Sequence, residues 1–229
     1  MPHEPETQGE LHAADAAAQS LHRDAQSPRE DVWIVILAAG LSTRMGRPKP
    51  LLPACGTSLI RHVASAALRA SSASGIVVVC GTEEAAIRRE LDGLPVAFAV
   101  NPQPGLGLSG SLAAGIRRIE ELRGAAAVVL LGDQPDLRAE TIDRAIGLYR
   151  ETGCLAAQAR YEGKPGHPVL LDRRLFPELL AVEGDVGARD VLALHRKDVR
   201  FVDSPGPMPV DLDTPQEYEL WLRKTLKSK

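Results

Sequence analysis

The chain has 229 residues, a net charge of −3 and an aromatic content of only 3%, which argues against a nucleic-acid binder, whose footprint is a basic face or a stacking platform. No stretch approaches the ~18 apolar residues of a membrane span, and none has the basic start and apolar core of a signal peptide. The length suits one α/β unit with a two-sided core, and the scattered cysteines Cys55, Cys80 and Cys154 suit free thiols in a reducing cytoplasm.

Residues 1–30 lack an apolar run and are rich in Ala, His, Glu, Asp and Gln, too little to offset the entropy of ordering, so they read as a disordered tail before one domain over 31–229. Val32–Leu37 is an apolar strand. It ends in the small residues Ala38, Ala39 and Gly40, and the following loop offers Ser42, Thr43, Arg44 and Lys49: hydroxyls, backbone N–H groups and two cations suited to an anion. Thr57 or Ser58 caps a helix with Leu59, Val63 and Ala67 at helical spacing. Ile76–Cys80 is a strand, Thr82–Leu91 a helix capped by Thr82, Pro95–Val100 a strand, Ser109–Leu122 a helix and Ala125–Leu131 a third strong strand. This alternation predicts an α/β, Rossmann-like three-layer α/β/α architecture with a mostly parallel central sheet.

The second half is less regular. Thr141–Tyr149 reads as a helix, Cys154–Ala159 as a strand and Tyr161–His167 as a turn into the short strand Pro168–Leu171, which makes the sheet mixed there. Helical segments are expected around Leu175–Leu180 and Ala188–His195, with edge strands at Val199–Val202 and Pro209–Leu212. Thr214-Pro215-Gln216-Glu217 is a capping box, placing Thr214 at the N-cap of a last helix and Asp213 just outside it.

Two acidic stretches stand out. Asp133 follows the apolar strand Ala125–Leu131, at the end where open α/β sheets bind ligands. A carboxylate that meets bound phosphates needs a cation between them, and hard oxygen ligands suit Mg²⁺. Asp211 and Asp213 fall on one face if their segment is extended, so both can point at one cleft. Two phosphate-loop patterns do not fit. Gly40 and Gly46 are spaced wrongly for G-x-x-x-x-G-K-[ST], and the G-x-G-x-x-G of Gly105–Gly110 is separated from its strand by Asn101-Pro102-Gln103-Pro104.

The stretch A-A-G-x-S-x-R-M-G-x-x-K, from Ala38 to Lys49, resembles the signature loop of the MobA-like NTP transferases, a group of GT-A-type nucleotidyltransferases. G-D-x-P at Gly132–Pro135, N-P-x-x-x-x-G-L-x-x-S at Asn101–Ser111 and the acid before Thr214-Pro215 are similar to further motifs of that family, in the same order. The resemblance implies nucleotide contacts from Leu37, Ala38, Ala39, Gly40, Ser42, Arg44, Lys49, Gly107, Ser109 and Ser111. It implies catalytic roles for Arg44, Lys49 and Asp133, and Mg²⁺ on Asp133 and Asp213. Gly166-His167-Pro168 and the G-D-x-G-A-R of Gly184–Arg189 resemble the molybdenum cofactor cytidylyltransferase branch, which implies that His167 and Arg189 face the acceptor. The implied reaction is transfer of CMP from CTP to the phosphate of a molybdopterin-type acceptor with release of pyrophosphate, in the cytoplasm. A molybdenum hydroxylase or its maturation chaperone is the implied partner, with no nucleic acid or membrane. The alternatives are an NAD(P)H-dependent oxidoreductase on the same scaffold, or a guanylyl or sugar-phosphate nucleotidyltransferase.

Overall fold

The computed structural model describes residues 29–227, so all of the expected tail except Arg29 and Glu30 lies outside the described residues. Strand β1 (Val32–Leu37) is buried at every position because it lies mid-sheet under helices on both sides. Its alternating side chains feed two cores. Ile34 and Ile36 meet helices α1 (Leu59–Ala67), α2 (Glu84–Glu90) and α4 (Ala139–Thr152) on one face. Trp33, Val35 and Leu37 meet α3 (Leu108–Glu121), α5 (Phe176–Leu180) and α6 (Arg189–Leu194) on the other. Each fully buried aliphatic side chain contributes roughly 1.5–3 kcal/mol, so this two-sided burial dominates the stability of the layers.

The remaining strands are the short hairpin β2 (Pro53–Ala54) and β3 (Thr57–Ser58), then β4 (Gly75–Cys80), β5 (Val96–Val100), β6 (Ala126–Leu131), β7 (Ala156–Tyr161), β8 (Lys164–Asp172) and β9 (Val199–Asp203). The main sheet has seven strands in the order β5-β4-β1-β6-β8-β7-β9. Strands β5, β4, β1 and β6 pair in parallel, β8 is antiparallel to both β6 and β7, and β9 runs parallel to β7. The sheet is therefore mostly parallel and becomes mixed in the second half, as expected. From β1 the chain builds outward through β4 and β5, then returns to place β6 on the other side of β1. That reversal opens a crevice between the C-terminal ends of β1 and β6.

A third apolar cluster lies outside the sandwich. Met45 of the first loop, Leu52, Ala54, Leu59 and Leu212 pack with Tyr218 and Trp221 of helix α7 (Pro215–Lys227). The Tyr218 hydroxyl donates to the Pro53 carbonyl at 2.7 Å and Trp221 Nε1 to Asp136 at 2.9 Å. The C-terminal helix thus clamps the underside of the loop after β1.

Several local expectations are corrected. Pro209–Leu212 is not a strand; the Leu212 N–H donates to the Asp133 carbonyl at 3.1 Å, one contact rather than a ladder. The turn expected over Tyr161–His167 contracts to Glu162-Gly163, both at positive φ, because Lys164–Gly166 pairs with Ala159–Tyr161 and extends β8. Thr82 does not cap α2: the first helical N–H, of Glu84, finds the Gly81 carbonyl instead. The β2–β3 hairpin was not foreseen, although Cys55-Gly56, with positive φ at both positions, has the conformation that two-residue hairpins favour.

Candidate active site

The crevice is a cleft of about 870 Å³. Its floor is Leu37, Ala38, Ala39 and Gly40, where β1 ends, with Leu131, Gly132 and Asp133, where β6 ends. The two strand ends touch: the Gly132 N–H donates to the Leu37 carbonyl at 2.9 Å, and a Cβ on Gly132 would lie 2.9 Å from that same oxygen. Only glycine allows this approach, which sets Asp133 beside the first loop.

That loop is stapled internally. The Ser42 hydroxyl accepts the Lys49 N–H at 2.9 Å, and the Ser42 carbonyl accepts from Met45 and Gly46. The hydroxyl read as a nucleotide contact thus also shapes the loop, and Ser42 lines the cleft. Lys49 comes out of it aimed at two carboxylates from distant segments, with Nζ 2.5 Å from Asp133 Oδ2 and 2.9 Å from Asp213 Oδ1. Arg44 reaches the other oxygen of Asp213 at 2.8 Å. The sequence thus brings Arg44, Lys49, Asp133 and Asp213 together, as the motif order implied.

Charge and burial compete at this cluster. Burial disfavours the Lys49 ammonium, but Asp133 and Asp213 outweigh it and hold its pKa above the ordinary lysine value. Burial likewise works against the Asp213 carboxylate, yet hydrogen bonds and charge from Lys49, with Arg44 behind, keep its pKa below the usual range. Asp211 behaves in the opposite way. Burial raises its pKa, with the nearby Asp133 and Asp213 adding to the rise, and a 2.8 Å hydrogen bond from Gln134 Nε2 only partly counters them. Asp211 lines the cleft and is held on Gln134, with the charge of Lys49 also reaching it, whereas Asp213 shares Lys49 directly with Asp133. The Gln134–Asp211 bond joins residues 77 apart in sequence and has no local signal.

The far wall comes from the segment before α3 and from residues 184–189. Gly107 has φ +100°, and a Cβ there would lie 2.6 Å from the Gly184 carbonyl oxygen. The Ser109 N–H donates to that carbonyl at 3.1 Å, and the Leu108 N–H to Asp185 Oδ1 at 3.1 Å. Asp185 thus serves as a cap for α3 from across the fold, a role invisible in the sequence. Gly107, Ser111 and Arg189 line the cleft, whereas buried Ser109 does not reach its wall. Ser111 accepts a hydrogen bond from buried Asn101 at 3.0 Å.

His167 is half-buried and is not among the residues that line the cleft. Its carbonyl accepts the Tyr161 hydroxyl at 2.7 Å. Dense surroundings push the imidazole pKa down to about 4, with the charge of Asp133 opposing only in part. A pKa that low keeps the imidazole of the ligand-free chain neutral near pH 7. Arg189, the other residue read as facing the acceptor, lines the cleft.

The donor set fits a divalent metal. Asp133 Oδ2 and Asp213 Oδ1 converge on one point, where a single ammonium touches both, and two hard oxygens beside an open cleft suit Mg²⁺ or Mn²⁺. Among the described residues no group of three or more His, Cys, Asp or Glu is arranged to hold a metal, so phosphates and water would complete the shell. No described helix is long and apolar enough to cross a membrane.

Known proteins are similar to this chain in sequence and fold. The chain is 29% identical over 204 residues to the purine catabolism protein PucB of Bacillus subtilis, covering 81% of this chain and 93% of PucB. The crystal structure of the Rv0371c homologue from Mycobacterium sp. strain JC1 superposes with a TM-score of 0.76 at 30% identity, covering 89% of this chain and all of that one. Rv0371c of Mycobacterium tuberculosis in complex with manganese superposes at 0.70 with 29% identity, covering 84% of this chain and 98% of that one. The family model of the MobA-like NTP transferase domain matches residues 34–199, a span that takes in the first loop, Asp133 and the 184–189 segment, and the chain belongs to that nucleotidyltransferase family.

Proposed function

We infer that the protein transfers CMP from CTP to the terminal phosphate of a molybdopterin-type acceptor, releasing pyrophosphate. The observation that carries the transferase chemistry is the convergence of Lys49 and Arg44 on Asp133 and Asp213 at the mouth of the crevice. The acceptor's phosphate is its own nucleophile, because a phosphate monoester has a second pKa of about 6 and is largely ionised near pH 7. No protein base is required.

The site's task is to align two anions that repel each other and to neutralise charge on the departing pyrophosphate. Lys49 and Arg44 bind the β- and γ-phosphates, while Asp133 and Asp213 hold the metal. When bound, Mg²⁺ would supply positive charge to the phosphate oxygens. Ala38 and Ala39 floor the nucleotide site with no side chain large enough to obstruct it, and Gly107 and Ser111 border its far side. Arg189 stands on the opposite wall, where it can pair with the acceptor phosphate.

The choice of CTP and molybdopterin rests on the resemblance of the Ala38-Ala39-Gly40, Gly166-His167-Pro168 and Gly184–Arg189 segments to the cytidylyltransferase branch. A product of molybdenum enzyme maturation would then pass to a molybdenum hydroxylase or its chaperone. The reductase alternative has little use for a paired carboxylate site, since hydride transfer needs no metal bridge.

The test is a thermal-shift panel with Mg²⁺ and CTP, GTP, ATP or NADPH, followed by turnover with molybdopterin. Ligand at a hundred times its dissociation constant adds about 2.7 kcal/mol, a readily measured rise. A Mg²⁺-dependent shift with CTP, lost in Asp133→Ala, supports the proposal. A shift with GTP in its place overturns the base assignment, and one with NADPH alone overturns the reaction.

A further inference from the structure

The cleft holds its own counter-ions, and their placement predicts how its ligands bind. Lys49 Nζ sits between Asp133 and Asp213, and Arg44 takes the remaining oxygen of Asp213. Two carboxylates and two cations cancel in charge. The contacts join residues 84, 164 and 169 apart in sequence, so they are set by the fold rather than by chance proximity along the chain. Lys49 is also largely shielded, its side chain only 15% exposed, so its ammonium has few waters to fall back on.

Resting on the transferase reading of this cleft, we propose that Lys49, seconded by Arg44, occupies the divalent cation's position on the carboxylate pair until a nucleotide arrives, so that metal and nucleotide each free the groups the other needs. A divalent cation alone meets carboxylates already neutralised and a lysine that must be pushed into a cleft with no anion to receive it. A triphosphate alone meets cations already engaged with carboxylates. Together, the carboxylates pass to the metal and the cations to the phosphates, and no buried charge is left without a partner. The two ligands are therefore positively coupled, and the lysine adds to whatever coupling direct contact between metal and phosphate supplies.

The test is Mn²⁺ binding to the full chain, followed by the electron paramagnetic resonance of free Mn²⁺, with and without CTP and corrected for Mn²⁺–CTP association in solution. For the unmodified protein, CTP should tighten Mn²⁺ binding by about tenfold or more. Lys49→Met should bind Mn²⁺ alone about tenfold tighter than the parent, because no ammonium competes for the carboxylates, and should show a smaller CTP effect, reduced to what direct contact between metal and phosphate supplies. Lys49→Arg keeps the charge and should stay near the parent. Arg44 is 69% exposed, so Arg44→Met will fold even if Lys49→Met does not, and it should tighten Mn²⁺ binding in the same direction by a smaller factor. Lys49→Met or Arg44→Met binding Mn²⁺ no tighter than the parent would overturn the exchange, whichever nucleotide is used. Coupling by GTP and not CTP, with the Lys49→Met gain intact, would leave the exchange standing and remove the base assignment instead.

Discussion

Replacing His167 by Gln isolates one titration whose size follows from the packing. In the folded chain burial holds the imidazole pKa at about 4, against an unfolded value of about 6.5. The unfolded state therefore takes up a proton first as the pH falls, and stability declines from near pH 6.5 until it levels off below about pH 4. The full displacement corresponds to about 3 kcal/mol, and at pH 5 about 2 kcal/mol of it has been lost relative to pH 7.5. Urea unfolding of the parent and His167→Gln at both pH values measures this directly. Groups other than His167 that titrate over the same interval do so in both proteins and cancel in the difference. The parent should lose about 2 kcal/mol more than the variant on acidification. Equal losses in the two proteins would refute the burial argument, and with it the conclusion that His167 is neutral near pH 7 in the ligand-free chain. The bond from the Tyr161 hydroxyl to the His167 backbone carbonyl does not depend on the imidazole, so the substitution leaves it in place.

Other consequences can be checked in parallel. Asp133→Asn and Asp213→Asn should each lower turnover by about 10²–10³-fold, with urea midpoints only modestly below the parent, since neither side chain packs in a core and each variant leaves Lys49 one of its two carboxylates. Gly107→Ala places a residue at φ +100° with its Cβ against the Gly184 carbonyl; a loss of about 1–3 kcal/mol and a raised KM for the nucleotide are expected from unfolding and steady-state assays. Thr214→Ala removes the acceptor for the Glu217 N–H and the hydroxyl that binds Glu217 Oε2, costing about 1 kcal/mol. Because Asp213 also donates its N–H to Glu217 Oε2 at 3.0 Å, Mn²⁺ affinity in the presence of nucleotide should fall in the same variant.

Much of the centre was legible because its parts are local. A strand ending in Ala38-Ala39-Gly40, a strand ending in Gly132-Asp133 and a capping box at Thr214 are each readable within a few residues, and the fold needs only to bring three strand or helix ends together. What escaped the sequence is long-range. Asp185 looks like the start of a helix but caps α3 from 77 residues away, and Gln134 looks like a turn residue but holds Asp211. Ser42, which lines the cleft, has a second role that was not read from the sequence: its hydroxyl closes the loop on Lys49 seven residues later. Pro209–Leu212 alternates like a strand, but alternation records which side chains are sheltered and not whether a neighbour supplies a ladder. The gap between β9 and α7 is instead pinned at one point, Leu212 to Asp133.

Helix α7 gives the chain a temporal property. The matched family span ends at residue 199, yet Asp213 and the apolar pair Tyr218 and Trp221, which brace Met45 of the first loop, come after it. During synthesis the sheet can assemble from earlier segments while Asp133 and Lys49 still lack their third member. Only when residues 213–221 emerge does the centre acquire its second carboxylate and the loop its support. A chain that stops short of residue 213 can therefore hold the sheet and the first loop while the cluster still lacks one of its two carboxylates.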